Sequence, residues 1–191
     1  MRRRQTPSQT VGPFFAFGLT PGQYGYSALS SIADGTMAGP DTPGRRLRLE
    51  GRVFDAGGET VPDAMVEIWQ ADATGRYPDG RSNTGFAGFG RCGTGTDPEH
   101  RFVFETIRPG PPGDGQAPHL NVILFMRGMP RHAFTRIYLA DEAEANASDP
   151  VLSTVPPERR GTLLAAPGSR DGVYLFDIHL RGERETVFFE P

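Results

Sequence analysis

The sequence predicts an all-β protein, an antiparallel β-sandwich with a long irregular N-terminal arm and one or two short helices. Three observations predict it. Apolar residues fall in runs of strand length, several with a period of two. The 25 glycines and 18 prolines among 191 residues punctuate those runs. Only two short stretches have helical character. Many short strands with turn signals between them fit two packed antiparallel layers. The length suffices for one well-buried core, so we expect an arm with loops over residues 1–44 and a sandwich over 45–191.

The arm carries Pro7, Gly12, Pro13, Gly18, Pro21, Gly22, Gly25, Gly35, Gly39, Pro40, Pro43 and Gly44, and shows almost no periodicity. Its aromatics, Phe14, Phe15, Phe17, Tyr24 and Tyr26, are too many for a free linker. They cover the core of their own chain or pack on another. From Arg46 to Phe54 the pattern alternates, with Leu47, Leu49 and Val53 inward, and Asp55-Ala56-Gly57-Gly58 is a turn. Ala64–Gln70 reads as a second strand, and the glycine-rich stretch from Ala71 through Gly95 reads as loop. Further strands are expected at Arg101–Ile107, Thr135–Leu139, Val173–Leu180 and Thr186–Phe189, with short helices at Asp141–Ala147 and Pro157–Leu164.

Bulk charge and cysteine count exclude several classes. A formal net charge of −3 argues against a protein that binds nucleic acid by neutralising phosphates. Cys92 is the single cysteine, which rules out an intrachain disulfide framework and a thiolate metal cluster. Arg2-Arg3-Arg4 is not followed by an apolar run, and no segment approaches the ~18 to 20 apolar residues of a membrane span. A cytoplasmic protein with no membrane partner is the expectation.

The remaining strand is the most informative. His119-Leu120-Asn121-Val122-Ile123-Leu124-Phe125 follows Pro118 and reads as a buried strand ending before Gly128. Side chains alternate along a strand, so His119 and Asn121 point the same way, about 6.5 to 7 Å apart. Two imidazoles at that spacing can grip one metal ion, but an asparagine amide is a poor ligand for a transition metal. Of the other histidines, His100 sits in a turn and reads as solvated, while His179 alternates with apolar residues and reads as structural. There is no HExxH, CxxC, nucleophile elbow or phosphate-binding loop. The residues alone go no further than a sandwich with an aromatic arm.

Four segments together resemble the intradiol ring-cleavage dioxygenases: Thr6–Phe14, Val66–Tyr77, the His119 strand, and Phe176–Phe189. The resemblance implies a mononuclear Fe(III) site of two tyrosines and two histidines, with anionic phenolates suited to ferric iron. It puts Tyr77 at the first tyrosine position and His119 at the first histidine position. Pro112 stands at the second tyrosine position and Asn121 at the second histidine position, so half the ligand set is missing. No catalytic residue or metal is therefore expected in this chain.

Family members built from two kinds of chain suggest the alternative division of labour. In that reading Fe(III) resides in a homologous catalytic beta chain, this chain pairs with it in a higher oligomer of alpha–beta pairs, and a small aromatic substrate binds at the interface. The reaction implied is intradiol cleavage of 3,4-dihydroxybenzoate with dioxygen to 3-carboxy-cis,cis-muconate. The resemblance assigns substrate contacts to Thr10, Gly12 and Pro13 of the arm and to Arg127 beyond the central strand. Glycine and proline let backbone approach a ring, and a guanidinium meets a carboxylate with charge-assisted bonds. Phe14 stands where a tyrosine is common, removing a hydroxyl. Two other readings stay open: a self-sufficient metalloenzyme using Tyr138 or His132, and a non-enzymic transthyretin-like sandwich carrying a small aromatic ligand.

Overall fold

A computed structural model of the chain describes residues 9–12, 14–26, 28–29, 31–79 and 85–190. Strands dominate, and their register builds one curled sheet. The strands are β1 (Arg46–Phe54), β2 (Met65–Gln70), β3 (Phe89–Gly93), β4 (Arg101–Ile107), β5 (His119–Phe125), β6 (Ala133–Leu139), β7 (Leu164–Pro167), β8 (Val173–Leu175) and β9 (Ile178–His179). Their order is β3-β2-β5-β6-β7-β8-β1-β4, with β9 pairing beside β1. The curl brings the inward faces of the two halves together on one core, in which Leu47, Leu49, Phe102 and Phe104 meet Val66, Ile68, Leu120, Val122 and Ile137. The alternation of β1 and β4 is what buries these residues on one face only.

The expectation of purely antiparallel pairing is corrected. β6 pairs β7 in parallel, and β1 pairs both β8 and β9 in parallel. The run Val173–Leu180 is not one strand: the ladder is interrupted at Phe176 and Asp177, a step across which both halves keep one register on β1. A Cβ on Gly51, in the middle of β1, would lie 1.8 Å from the Phe176 carbonyl oxygen, so only glycine admits this approach. The step is held by Phe176 N–H donating to Glu50 O (2.9 Å) and Arg52 N–H donating to Asp177 Oδ1 (3.0 Å).

Other differences have equally local causes. β3 reads as loop in the sequence because Gly90 and Gly93 interrupt it, yet Gly90 is small because Met37 packs on it. Thr186–Phe189 forms no ladder beyond a bridge from Phe189 to Phe134. At Val187 its backbone groups are met by side chains, the carbonyl by Thr135 Oγ1 (2.7 Å) and the N–H by Thr162 Oγ1 (3.3 Å), while Thr186 N–H donates to His179 O (2.9 Å). The helix near residue 141 is α2 (Ala143–Ser148), and the one near 157 is a 3-10 helix over Pro157–Leu163.

The arm is partly structured on its own chain. Its described part holds α1 (Phe15–Leu19) and a 3-10 turn at Pro21–Tyr24. Ala16 and Met37 are buried, Phe15 packs on Phe125 of β5 at 5.4 Å, and the Gln23 amide bonds Gly93 in both directions. Phe14, Tyr26, Leu29 and Ile32 remain exposed. Among the described residues no helix is long and apolar enough to cross a membrane.

Candidate functional site

The start of β5 presents His119 and Asn121 on the face away from the core. His119 is buried, while Asn121 is half-buried beside Arg136 of β6 and Trp69 of β2. Tyr77 reaches this face from the loop after β2. That loop is fastened by Asp72, whose Oδ1 accepts from Thr74 N–H (2.8 Å) and Arg76 N–H (3.1 Å). Gly75 turns with φ +84°, and a Cβ there would strike the Pro111 carbonyl oxygen at 1.9 Å. The Pro112 loop thus lies against the Tyr77 loop, and proline brings no side-chain donor to it.

The three polar side chains satisfy one another. His119 Nδ1 lies 2.8 Å from the Ala117 carbonyl, which can only accept, so Nδ1 carries the proton and Nε2 accepts. Tyr77 O–H then donates to Nε2 at 3.2 Å, and the Asn121 amide donates to the Tyr77 oxygen at 2.8 Å and to Trp69 O at 3.3 Å. Burial pushes the Tyr77 phenol above its ordinary value of 10, against the opposing effect of the Asn121 hydrogen bond. Burial also holds the His119 imidazole below 6.5. The donor set does not fit ferric iron: one phenol and one imidazole are bonded to each other, an amide caps the phenol, and the fourth position is proline. Among the described residues no cluster of three or more His, Cys, Asp or Glu side chains is placed to hold a metal.

Behind His119 stands a residue that sequence reasoning missed. Asp149 is fully buried and accepts from Ala117 N–H (2.8 Å), Leu152 N–H (2.7 Å), Val151 N–H (2.9 Å) and Tyr138 O–H (3.1 Å). It anchors the segment that carries His119. Tyr138, whose phenol burial pushes up to about 12, is committed to Asp149 and is no substitute metal ligand. His132 packs on Phe125 (5.3 Å) and Phe134 (4.8 Å), at the other end of β5. Nor is His100 free in solvent: its Nδ1 lies 2.8 Å from Thr60 Oγ1 at a left-handed φ of 56°. His179 stacks on Phe54 at 4.8 Å.

Beyond the end of β5, Thr10 meets the turn that carries Arg127. Gly128 N–H donates to Thr10 Oγ1 at 2.9 Å, tying the arm to the turn that carries Arg127. The Arg127 guanidinium is ion-paired with Asp63 and mostly exposed. Gly12 is exposed with open space around its Cα, and Pro13 lies outside the described residues. At ~3.3 Å per residue, the six steps from His119 to Phe125 separate this cluster from Tyr77 and His119 by roughly 20 Å.

Residues 20–182 match the dioxygenase domain family. The chain belongs to the intradiol dioxygenase family. It is 53% identical over 193 residues to the protocatechuate 3,4-dioxygenase alpha chain of Burkholderia cepacia, covering 98% of each chain. It is 35% identical over 162 residues to the beta chain of the same enzyme and organism, covering 75% of this chain and 67% of the relative. The structure of catechol 1,2-dioxygenase from Pseudomonas arvilla C-1 superposes with a TM-score of 0.55 at 23% identity, over 77% of this chain and 56% of that one. That likeness concerns the intradiol dioxygenase fold. The family is iron-dependent.

The neutral state of His119 has a measurable consequence. Unfolded histidine titrates near ~6.5, so on acidification the unfolded chain takes up this proton first. The stabilisation is complete above the unfolded value and is lost as pH falls toward the depressed folded one. Urea midpoints are expected to drop between pH 7.5 and pH 5, and His119→Gln to flatten part of that slope. His179, also held low by burial, contributes with the same sign, so His119→Gln alone leaves a residual slope.

Proposed function

We propose that this chain is the non-iron alpha subunit of a heteromeric protocatechuate 3,4-dioxygenase of aromatic catabolism. The assembled enzyme cleaves 3,4-dihydroxybenzoate between its two hydroxyl-bearing carbons with dioxygen, giving 3-carboxy-cis,cis-muconate. The observation that carries this reading is the separation along β5. Thr10 and Arg127 lie roughly 20 Å from Tyr77 and His119, so no single small ring touches both groups. A recognition cluster so far from its own chain's remnant serves a site on another chain. Fe(III) resides in that partner, the homologous beta chain, and supplies the redox centre at which catecholate and dioxygen react.

This chain's share is recognition and enclosure. Arg127 offers a planar fork to the ring's carboxylate, while Thr10, Gly12 and Pro13 form a small turn that packs against the ring. Exposed Phe14, Tyr26, Leu29 and Ile32 supply apolar area for docking on the beta chain, so the arm works partly in trans. The curled sheet acts as the sandwich that holds the arm and the Arg127 turn in register. Alpha–beta pairs then associate into a larger cytoplasmic oligomer.

The test is coexpression with a beta chain that carries the complete ligand set. The two chains are expected to copurify, and the heteromer to show the visible tyrosinate-to-iron band and to cleave 3,4-dihydroxybenzoate. The single chain is expected to be colourless and inactive. A stoichiometric ferric band from the single chain, or full activity of the beta chain alone, overturns the reading.

A further inference from the structure

The outer face of β2, β3, β5 and β6 carries a groove of about 680 Å³, within the range of small-molecule sites. Trp69, Phe89, Ile123, Phe134 and Phe189 contribute apolar and aromatic walls. Arg136 lines the groove from β6, on the side toward Tyr77, because its cross-strand partner is Asn121 while Phe134 faces Ile123. Arg136 is half-buried, and its hydrogen-bond partners are neutral: Gln116 Oε1 at 2.9 Å and Tyr138 O–H at 3.4 Å. Among the described residues no carboxylate forms an ion pair with it. A guanidinium that lines a groove with aromatic walls and meets only neutral partners keeps its charge open to an anionic ligand.

The other charges of the groove leave that cation uncompensated. Glu67 is committed to Arg91, whose Nε donates to Glu67 Oε1 at 2.7 Å. Glu190 lies exposed among the lining residues and forms no ion pair with Arg136. Asn121 in the lining, and Tyr77 and His119 hydrogen-bonded beyond it, are neutral and supply no anion.

We propose that this groove is a binding site for a planar aromatic carboxylate, with the ring between the Trp69 and Phe134 walls and the carboxylate on Arg136. It is a binding site without chemistry, built where the metal-ligand pattern has been lost, and it goes beyond the subunit role proposed above. The lining residues all belong to one chain, and at ~3.3 Å per residue Arg127 lies roughly 20 Å from the Asn121 and Arg136 level of the groove and roughly 13 Å from its Ile123 level. Loss of heteromer activity and loss of this binding are therefore separate results.

Trp69 is the only tryptophan of the chain, so its emission reports the groove directly. Benzoate titrated into the full-length chain is expected to change that emission saturably, with one benzoate bound per chain by equilibrium dialysis. Benzyl alcohol, which keeps the ring and removes the charge, is expected to bind at least tenfold more weakly. Arg136→Gln is expected to raise the benzoate Kd at least tenfold while leaving that of benzyl alcohol within twofold, and Arg136→Lys to recover part of the loss. The comparison of the two probes on the unaltered chain needs no variant to fold. Equal affinities for benzoate and benzyl alcohol overturn the proposal, as does the absence of a saturable change, or an unchanged benzoate Kd in Arg136→Gln.

Discussion

In the assembled heteromer, Arg127→Ala is expected to lower kcat/KM for 3,4-dihydroxybenzoate ten- to a hundredfold. A charge-assisted hydrogen bond contributes about 1.5 to 3 kcal/mol, and each ~1.4 kcal/mol is a factor of ten. The structure makes the guanidinium available at little cost. Its present partner is Asp63, in an ion pair with the arginine side chain 57% exposed. Such surface pairs are worth about 0 to 1 kcal/mol, so a substrate carboxylate can replace or join Asp63. Asp63→Asn is accordingly expected to leave KM unchanged or slightly lower. For catechol, which has no carboxylate, Arg127→Ala is expected to matter far less, and Arg127→Lys to restore only part of the loss. Steady-state kinetics with both substrates decide the matter. Equal losses for the two would make Arg127 an interface residue and not a reader of the ring.

The largest stability effect is expected at the Glu67–Arg91 pair. Both side chains are about nine-tenths buried, with Arg91 Nη2 2.5 Å and Nε 2.7 Å from Glu67 Oε1. Arg91→Ala leaves a buried carboxylate without its partner, which costs about 3 to 5 kcal/mol. It also removes the 5.4 Å cation–π contact with Phe89 and the Arg91 Nη1 bond to Leu19 O at the end of α1. The urea midpoint should therefore fall, and protease sensitivity around Leu19 should rise. Replacing both charges together, as Glu67→Leu with Arg91→Met, should recover most of the stability, because the pair itself is worth little against apolar packing. A double variant as unstable as Arg91→Ala would mean that the arm contact, and not the stranded charge, carries the loss.

Legibility in the sequence followed how much of each element is determined locally. β1 and β4 can be read to the residue, because their alternation is the physical cause of their burial. β5 was placed correctly, but it is not buried on both faces: Asn121, Ile123 and Phe125 are half-exposed and line the outer surface. β3 was hidden by Gly90, whose size is set by Met37, more than fifty positions away in the chain. β7, four residues ending in Pro167, has too little pattern to show. The break between β8 and β9 depends on Gly51 and was equally out of reach.

The site divides in the same way. Tyr77 and His119 do come together, and Thr10 does meet the Arg127 turn. The cross-strand pairing that sets Arg136 beside Asn121 depends on register, which no single strand announces. Trp69 was the one locally visible clue, since it shares a face with Glu67 in β2 and the chain has no other tryptophan. Asp149 gave no signal, because its four hydrogen bonds come from three separate segments.

The closed chain from Asn121 through Tyr77 to His119 also bears on how an assembly of two related chains acquires its metal. Any ion arriving at Tyr77 must strip a phenol held above its ordinary pKa and break its bonds to the amide and the imidazole. It gains two donors in return. Ferric iron offered to this chain is accordingly expected to be removed by a weak chelator, however much of the protein is present.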